Sequence, residues 1–112
     1  MRCDQACAHC GSRAAQARPQ ELETPALLEV ARALIDLGCR EVALIGGEAY
    51  LHPGVYELTE FLSARDVRVI TQTGGRGLTR SRVTLWHKKV RALPDRQILG
   101  GFWMRFVDVV EP

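Results

Sequence analysis

The chain has 112 residues, 46% of them hydrophobic and 25% charged. These proportions fit a single globular domain and exclude a disordered tail, a collagen-like repeat and a disulfide-dense miniprotein. Fifteen basic and 13 acidic residues leave a formal charge of +2, too balanced to imply nucleic acid or a membrane surface as partner.

Residues 1–23 show no sustained hydrophobic period and read as a loop. The start, Met1-Arg2-Cys3-Asp4-Gln5, lacks the apolar core of a signal peptide. No apolar run approaches the ~20 residues that span a bilayer. The cytoplasm is therefore the expected compartment, where thiols stay reduced. Thr24-Pro25 predicts a helix start, with the hydroxyl as N-cap and proline in the first turn. Leu27, Val30, Ala31, Leu34 and Leu37 then form one apolar stripe, and Gly38 supplies the stop, giving a helix over 25–37. Arg40 to Ile45 is a short apolar run that predicts a strand buried on both faces, ended by Gly46-Gly47-Glu48.

A second helix is expected over 54–65, with Val55, Leu58, Phe61 and Leu62 on its inner side. A second strand, Val67 to Thr71, runs into Thr73-Gly74-Gly75-Arg76-Gly77. Helix, strand, helix, strand with short loops predicts an α/β fold with parallel strands. Beyond Arg82 the pattern weakens. Ser81 to Leu93 fits a helix stopped by Pro94, and residues 98–110 lean towards β but are interrupted by Gly100-Gly101. Four of the seven aromatic residues, Trp86, Phe102, Trp103 and Phe106, lie in this tail.

The chemistry concentrates in the cysteines. Cys3, Cys7 and Cys10 fall within eight residues as C-x3-C-x2-C, while Cys39 stands apart. Structural zinc sites usually take four ligands in two separated pairs, and no second pair is present here. Zinc completed by His9, His52 or Cys39 stays open as an alternative, as do incidental thiols. Iron–sulfur clusters take cysteine thiolates, and three thiolates on a four-iron cluster leave one iron free for a small molecule. Cys39, after a helix stop and before a strand, reads as a small core residue. Arg13 and Arg18 are candidate anion partners, with a solvated surface position as the simpler reading.

Cys3-x3-Cys7-x2-Cys10, with His9 before the third cysteine, resembles the signature of the radical S-adenosylmethionine (SAM) enzymes. Gly46-Gly47-Glu48 matches that family's glycine-glycine-glutamate motif, at the carboxyl end of the first strand after the cysteine loop. The runs Cys10-Gly11-Ser12-Arg13 and Ile45 to Pro53 resemble the branch that includes peptide-modifying maturases. The resemblance implies a [4Fe-4S] cluster on Cys3, Cys7 and Cys10, and SAM chelated to the open iron. One electron then cleaves the sulfonium to a 5′-deoxyadenosyl radical, which abstracts a substrate hydrogen.

By the same resemblance Gly46 and Gly47 admit SAM close to the backbone, Glu48 faces its ammonium, and His9 sits beside the cluster. Gln72, Thr73 and the Gly74–Gly77 loop either touch SAM or substrate or serve as a structural loop. No catalytic side chain is assigned. The substrate is expected to be a peptide or small molecule, and the reductant a protein such as flavodoxin or ferredoxin.

The family's core is a partial (β/α) barrel of typically six units, with a strand leading into the cysteine loop. Only Met1-Arg2 precede Cys3, so the expected fold is an incomplete barrel with about two parallel strands after the loop. The expected division is an N-terminal part of a radical SAM domain over 1–82 and a divergent or truncated tail over 83–112. Such a fragment is expected to have doubtful activity alone and to be able to self-associate through an open sheet edge. The alternatives are a small zinc-, iron- or partner-binding module without radical chemistry, and a degenerate fragment.

Overall fold

A computed structural model describes residues 2–91, with the side chains of Trp86, His87, Lys89, Val90 and Arg91 left aside. Helix α1 spans Thr24–Asp36, strand β1 Glu41–Leu44, helix α2 Val55–Ser63, strand β2 Arg68–Thr71 and helix α3 Arg80–Arg91; a short 3-10 turn, Ala49–Leu51, lies between β1 and α2. The expected order of elements is therefore present, and α3 begins one residue before the predicted Ser81. The β-leaning run at 98–110 lies outside the described residues.

β1 and β2 pair in parallel, with Glu41 opposite Arg68, Val42 opposite Val69, Ala43 opposite Ile70 and Leu44 opposite Thr71. This is an open, two-stranded α/β sheet. The prediction that β1 is buried on both faces is corrected. Its residues alternate, with Val42 and Leu44 half-buried and Glu41 and Ala43 exposed. Four consecutive apolar or small residues suggested double burial, but only one side of the pleat meets the core.

Ala31, Leu62 and Val67 form the main core, with Ile35, Val42, Leu58, Phe61 and Val69 packed around them. Ala31 sits where α1 meets α2, and its small side chain lets the helices approach. The predicted stripe of α1 is shifted. Ala31 and Ile35 turn inward, whereas Val30, Leu34 and Leu37 are exposed. Thr24 is also not the N-cap: Glu23 occupies that position without a side-chain bond, and Thr24 is the first helical residue with Pro25 following. The threonine side chain lies against Gly54 instead.

The stops are local backbone devices. Gly38 adopts φ 83°, and the N–H groups of Gly38 and Cys39 donate to the carbonyls of Ile35 and Leu34. This is the crossed pair of bonds that ends a helix on a left-handed glycine. At the end of α2, Asp66 takes the left-handed conformation (φ 60°) and the Val67 N–H returns to the Leu62 carbonyl. Cys39, expected in the core, is half-buried, with its thiol donating to the Glu41 carbonyl at 3.1 Å. No helix among the described residues is long and apolar enough to cross a membrane.

Candidate metal and cofactor site

Both parallel strands deliver their carboxyl ends to one side of the sheet, and the cysteine loop lies across them. After β1 the chain turns on Gly46 (φ 80°) and Gly47 (φ 33°), conformations that favour residues without a Cβ. The turn brings the Glu48 N–H to the Arg2 carbonyl at 2.9 Å. Cys3 N–H donates to Ala15 O at 2.9 Å, and Arg2 and Ala15 form a lone parallel bridge. The base of the cysteine loop is thus tied to itself and to the strand end.

Glu48 is the hub of this contact. Its side chain is buried (5% exposed) and accepts three hydrogen bonds. Gln5 Nε2 and Gly74 N–H both donate to Oε1 at 2.7 Å, and the Thr73 hydroxyl donates to Oε2 at 2.5 Å. Donors come from the cysteine loop and from the end of β2. One carboxylate therefore joins three segments, and its buried charge is met as burial requires. Gln5 also places its Oε1 4.0 Å from the Cys7 thiol.

A second junction lies beside it. The Tyr50 hydroxyl donates to Asp4 Oδ2 at 2.7 Å and accepts from the Gly77 N–H at 2.9 Å. Burial, then the bond to Asp4, pushes the tyrosine pKa well above its ordinary value. Arg82 lies over the Tyr50 ring, 5.2 Å from its centre, and its guanidinium donates to the Gly77 carbonyl at 2.5 Å. Arg76 donates to the Asp4 carbonyl at 3.1 Å. The other Asp4 oxygen, Oδ1, is buried without a hydrogen-bond partner.

The glycines of the Thr73–Gly77 loop explain how close this packing is. A Cβ on Gly74 would come within 2.0 Å of Gln5 Nε2, and one on Gly77 within 2.5 Å of Asp4 Oδ2. Of the two readings of this loop, the contacts support the structural one. It grips residues 4 and 5 of the cysteine loop.

The thiols themselves are free. Cys3 is half-buried, and its sulfur lies with the carboxylates of Asp4 and Glu48 in a group whose donor atoms are within 4.8 Å of one another. Cys7 is exposed and Cys10 half-buried, and neither belongs to that group. A local turn links them, with Cys10 N–H donating to the Cys7 carbonyl at 3.2 Å. Bonding with Ser12, whose hydroxyl is 3.4 Å from Cys10 Sγ, and then with the Ala14 backbone lowers the Cys10 pKa, favouring the thiolate. Three free thiols on one loop, one of them stabilised as thiolate, are a donor set suited to an iron–sulfur cluster.

His9 is exposed on the outer part of the loop. Arg13, with φ 48°, and Arg18 are exposed as expected. His52 has both ring nitrogens engaged: Nδ1 accepts from the Gly54 N–H at 3.1 Å, which leaves Nε2 to donate to the Leu22 carbonyl at 3.0 Å. It holds the approach to α2 together. Sequence reasoning missed Asp4, Gln5 and Tyr50. The first two stand in the spacer between cysteines, where the motif specifies only a count, and Tyr50 carries no pattern that marks it.

No curated protein and no solved structure matches the chain. A sequence model of the radical SAM superfamily matches residues 1–98, the cysteine loop, the Gly46-Gly47-Glu48 turn and all three helices included. With a match over most of its length and its cysteine loop set against the strand ends, the chain belongs to the radical SAM superfamily.

Proposed function

We propose that this chain holds a [4Fe-4S] cluster on Cys3, Cys7 and Cys10 and binds SAM at the Gly46-Gly47-Glu48 turn for reductive cleavage. The observation that carries this reading is the Glu48 junction, which sets the three-thiol loop directly against the strand end that bears the glycines. Bound together, cluster and SAM supply one-electron reductive cleavage of the sulfonium. The chain's residues bind and orient them. The thiolates ligate iron, and Gly46 and Gly47 leave the backbone open to a ligand. A carboxylate offers about four acceptor sites, and three at Glu48 are filled. The remaining site, on Oε2, is the one available to the SAM ammonium. His9 would lie beside the cluster.

The finer reading is a peptide substrate, as in the maturase branch, or a small molecule, with flavodoxin or ferredoxin as reductant and the cytoplasm as compartment. Association through an open sheet edge would bury the unpaired backbone groups of β1 or β2.

Anaerobic reconstitution with iron, sulfide and a reductant tests the reading. The expected result is a brown protein with a four-iron signal that added SAM perturbs; release of 5′-deoxyadenosine would show in addition that the chain is active alone. Cys7→Ala should abolish iron uptake. Stoichiometric zinc with no iron would overturn the proposal, and unchanged iron in Cys7→Ala would overturn the ligand assignment.

A further inference from the structure

The cysteine loop is held unequally. Its first part is tied down by Cys3 N–H to Ala15 O, Arg2 O to Glu48 N–H, Gln5 to Glu48, and Asp4 to Tyr50 and Arg76. Its outer part, with Cys7 exposed, is closed by local turns. Tyr50 is the most deeply set member of the tie. It is 3% exposed, belongs to the 3-10 turn that follows Gly46-Gly47-Glu48, and packs with Val55 in the second core cluster. Its hydroxyl bridges two segments, Asp4 of the cysteine loop and the Gly77 N–H beyond β2. Gly77 completes the fit, because a Cβ there would meet Tyr50 Oη at 2.8 Å as well as Asp4 Oδ2.

We propose that Tyr50 is a positioning residue for the metal-binding loop: through Asp4 and Gly77 it fixes the Cys3 end in place, so that Cys7 and Cys10 close onto a thiol already set. The proposal rests on the cluster reading above. The Tyr50 hydroxyl is bonded to Asp4 and Gly77 rather than to a cysteine, so it acts through Asp4, the residue next to Cys3. Outer partners of this kind, which orient a ligand rather than bind the metal, typically change metal affinity by about 10–100-fold when removed. Without the tyrosine hydroxyl, Asp4 Oδ2 and the Gly77 N–H lose their bond, and Asp4 is left with both carboxylate oxygens unsupported. The loop must then be ordered at the moment the metal binds, at an entropic cost.

Two variants break the contact from opposite sides. Tyr50→Phe keeps the ring under Arg82 and removes only the hydroxyl. Gly77→Ala keeps the hydroxyl and wedges a methyl between it and Asp4. Leu37→Lys is the control, since Leu37 is 84% exposed at the end of α1 and belongs to neither the cysteine loop nor the Gly46-Gly47-Glu48 turn. Two readouts are taken on the full chain: amide hydrogen exchange of the metal-free protein, and iron release to a chelator after anaerobic reconstitution.

In Tyr50→Phe and Gly77→Ala, exchange should rise severalfold over residues 3–5 and 74–77 while α1 and α2 keep their protection. Iron release should be roughly tenfold faster, with Leu37→Lys unchanged in both. Unaltered exchange in that segment in both variants overturns the proposal, as does unaltered iron release despite faster exchange. A wild-type chain that takes up no iron, while exchange responds as expected, supports the tie and overturns the cluster reading instead.

Discussion

Replacing Glu48 separates its structural role from its role towards a ligand. Glu48→Ala removes the acceptor for the Gly74 N–H, a backbone group that cannot swing away, and for the side chains of Gln5 and Thr73. Gly74 is itself exposed and its bond to Glu48 only part-buried, so each of the three lost bonds to the carboxylate counts about 1–1.5 kcal/mol. The sum is a destabilisation of about 3–5 kcal/mol, a large part of the roughly 5–15 kcal/mol that holds a domain together.

Glu48→Gln keeps the shape and one carbonyl oxygen. Gln5 and Gly74 can still donate to it, and the Thr73 hydroxyl can rotate to accept from the new amide. The loss is then the charge assistance, about 1–2 kcal/mol. Urea unfolding of the metal-free chain, followed by circular dichroism, measures both. If Glu48→Ala stays within about 0.5 kcal/mol of wild type, a change ordinary for a plain surface position, the carboxylate is not the hub described. The same pair tests function. Glu48→Gln should retain iron uptake but lose the SAM-dependent change in the cluster signal; an unchanged SAM response would remove Glu48 from the ligand contact.

Leu62→Ala should cost about 2–5 kcal/mol by the same unfolding assay, because this leucine, 1% exposed, joins α2 to α1 and the strands. Leu37→Lys should change stability by less than about 0.5 kcal/mol, since Leu37 is 84% exposed despite its place in the apolar pattern. Gly54→Ala should cost about 1–3 kcal/mol through overpacking, its Cβ meeting Thr24 Oγ1 at 2.3 Å and Cγ2 at 2.9 Å. Adding Thr24→Ala removes both of those atoms and should recover part of the loss in a double-mutant cycle; strict additivity would show that the two do not touch.

The placement of Glu48 bears on how the family motif works in this chain. A glutamate after two glycines can be read as a charge awaiting an ammonium. Here the same side chain is largely committed to protein donors, with one acceptor site left. Its position depends on Gln5, a residue of the cysteine loop, whose other amide atom faces the Cys7 thiol at 4.0 Å. The loop that carries the thiols and the turn that bears the glycines are therefore one packed unit.

Element order, both strands and the glycine stop of α1 were legible because each rests on neighbours in sequence. At the end of α1 the Gly38 N–H reaches three residues back and the Cys39 N–H five, and Val67 returns five back to Leu62. The faces of the helices were less legible. Leu27, Val30, Ala31, Leu34 and Leu37 follow a helical period, and Ala31 is buried and Leu27 half-buried as expected, yet only what lies opposite decides which side is covered. α2 lies on the side of Ala31 and Ile35, so the more apolar-looking Val30, Leu34 and Leu37 face outward. Likewise, the run Val42 to Ile45 specified a strand but not how many of its faces would be covered, and Ile45 is 62% exposed.

The sequence by itself determined the two motifs: three cysteines at a fixed spacing, and a Gly-Gly-Glu turn after a strand. Residue type and spacing carry that information directly. Only the tertiary structure decided how the two motifs are joined. Gln5 reaches Glu48 across 43 positions, Tyr50 reaches Asp4 across 46, and Arg76 reaches the Asp4 carbonyl across 72. No period or motif encodes such contacts. They exist because parallel pairing of β1 and β2 brings both carboxyl ends to one side, where a loop of small residues can settle over the cysteines' own spacer.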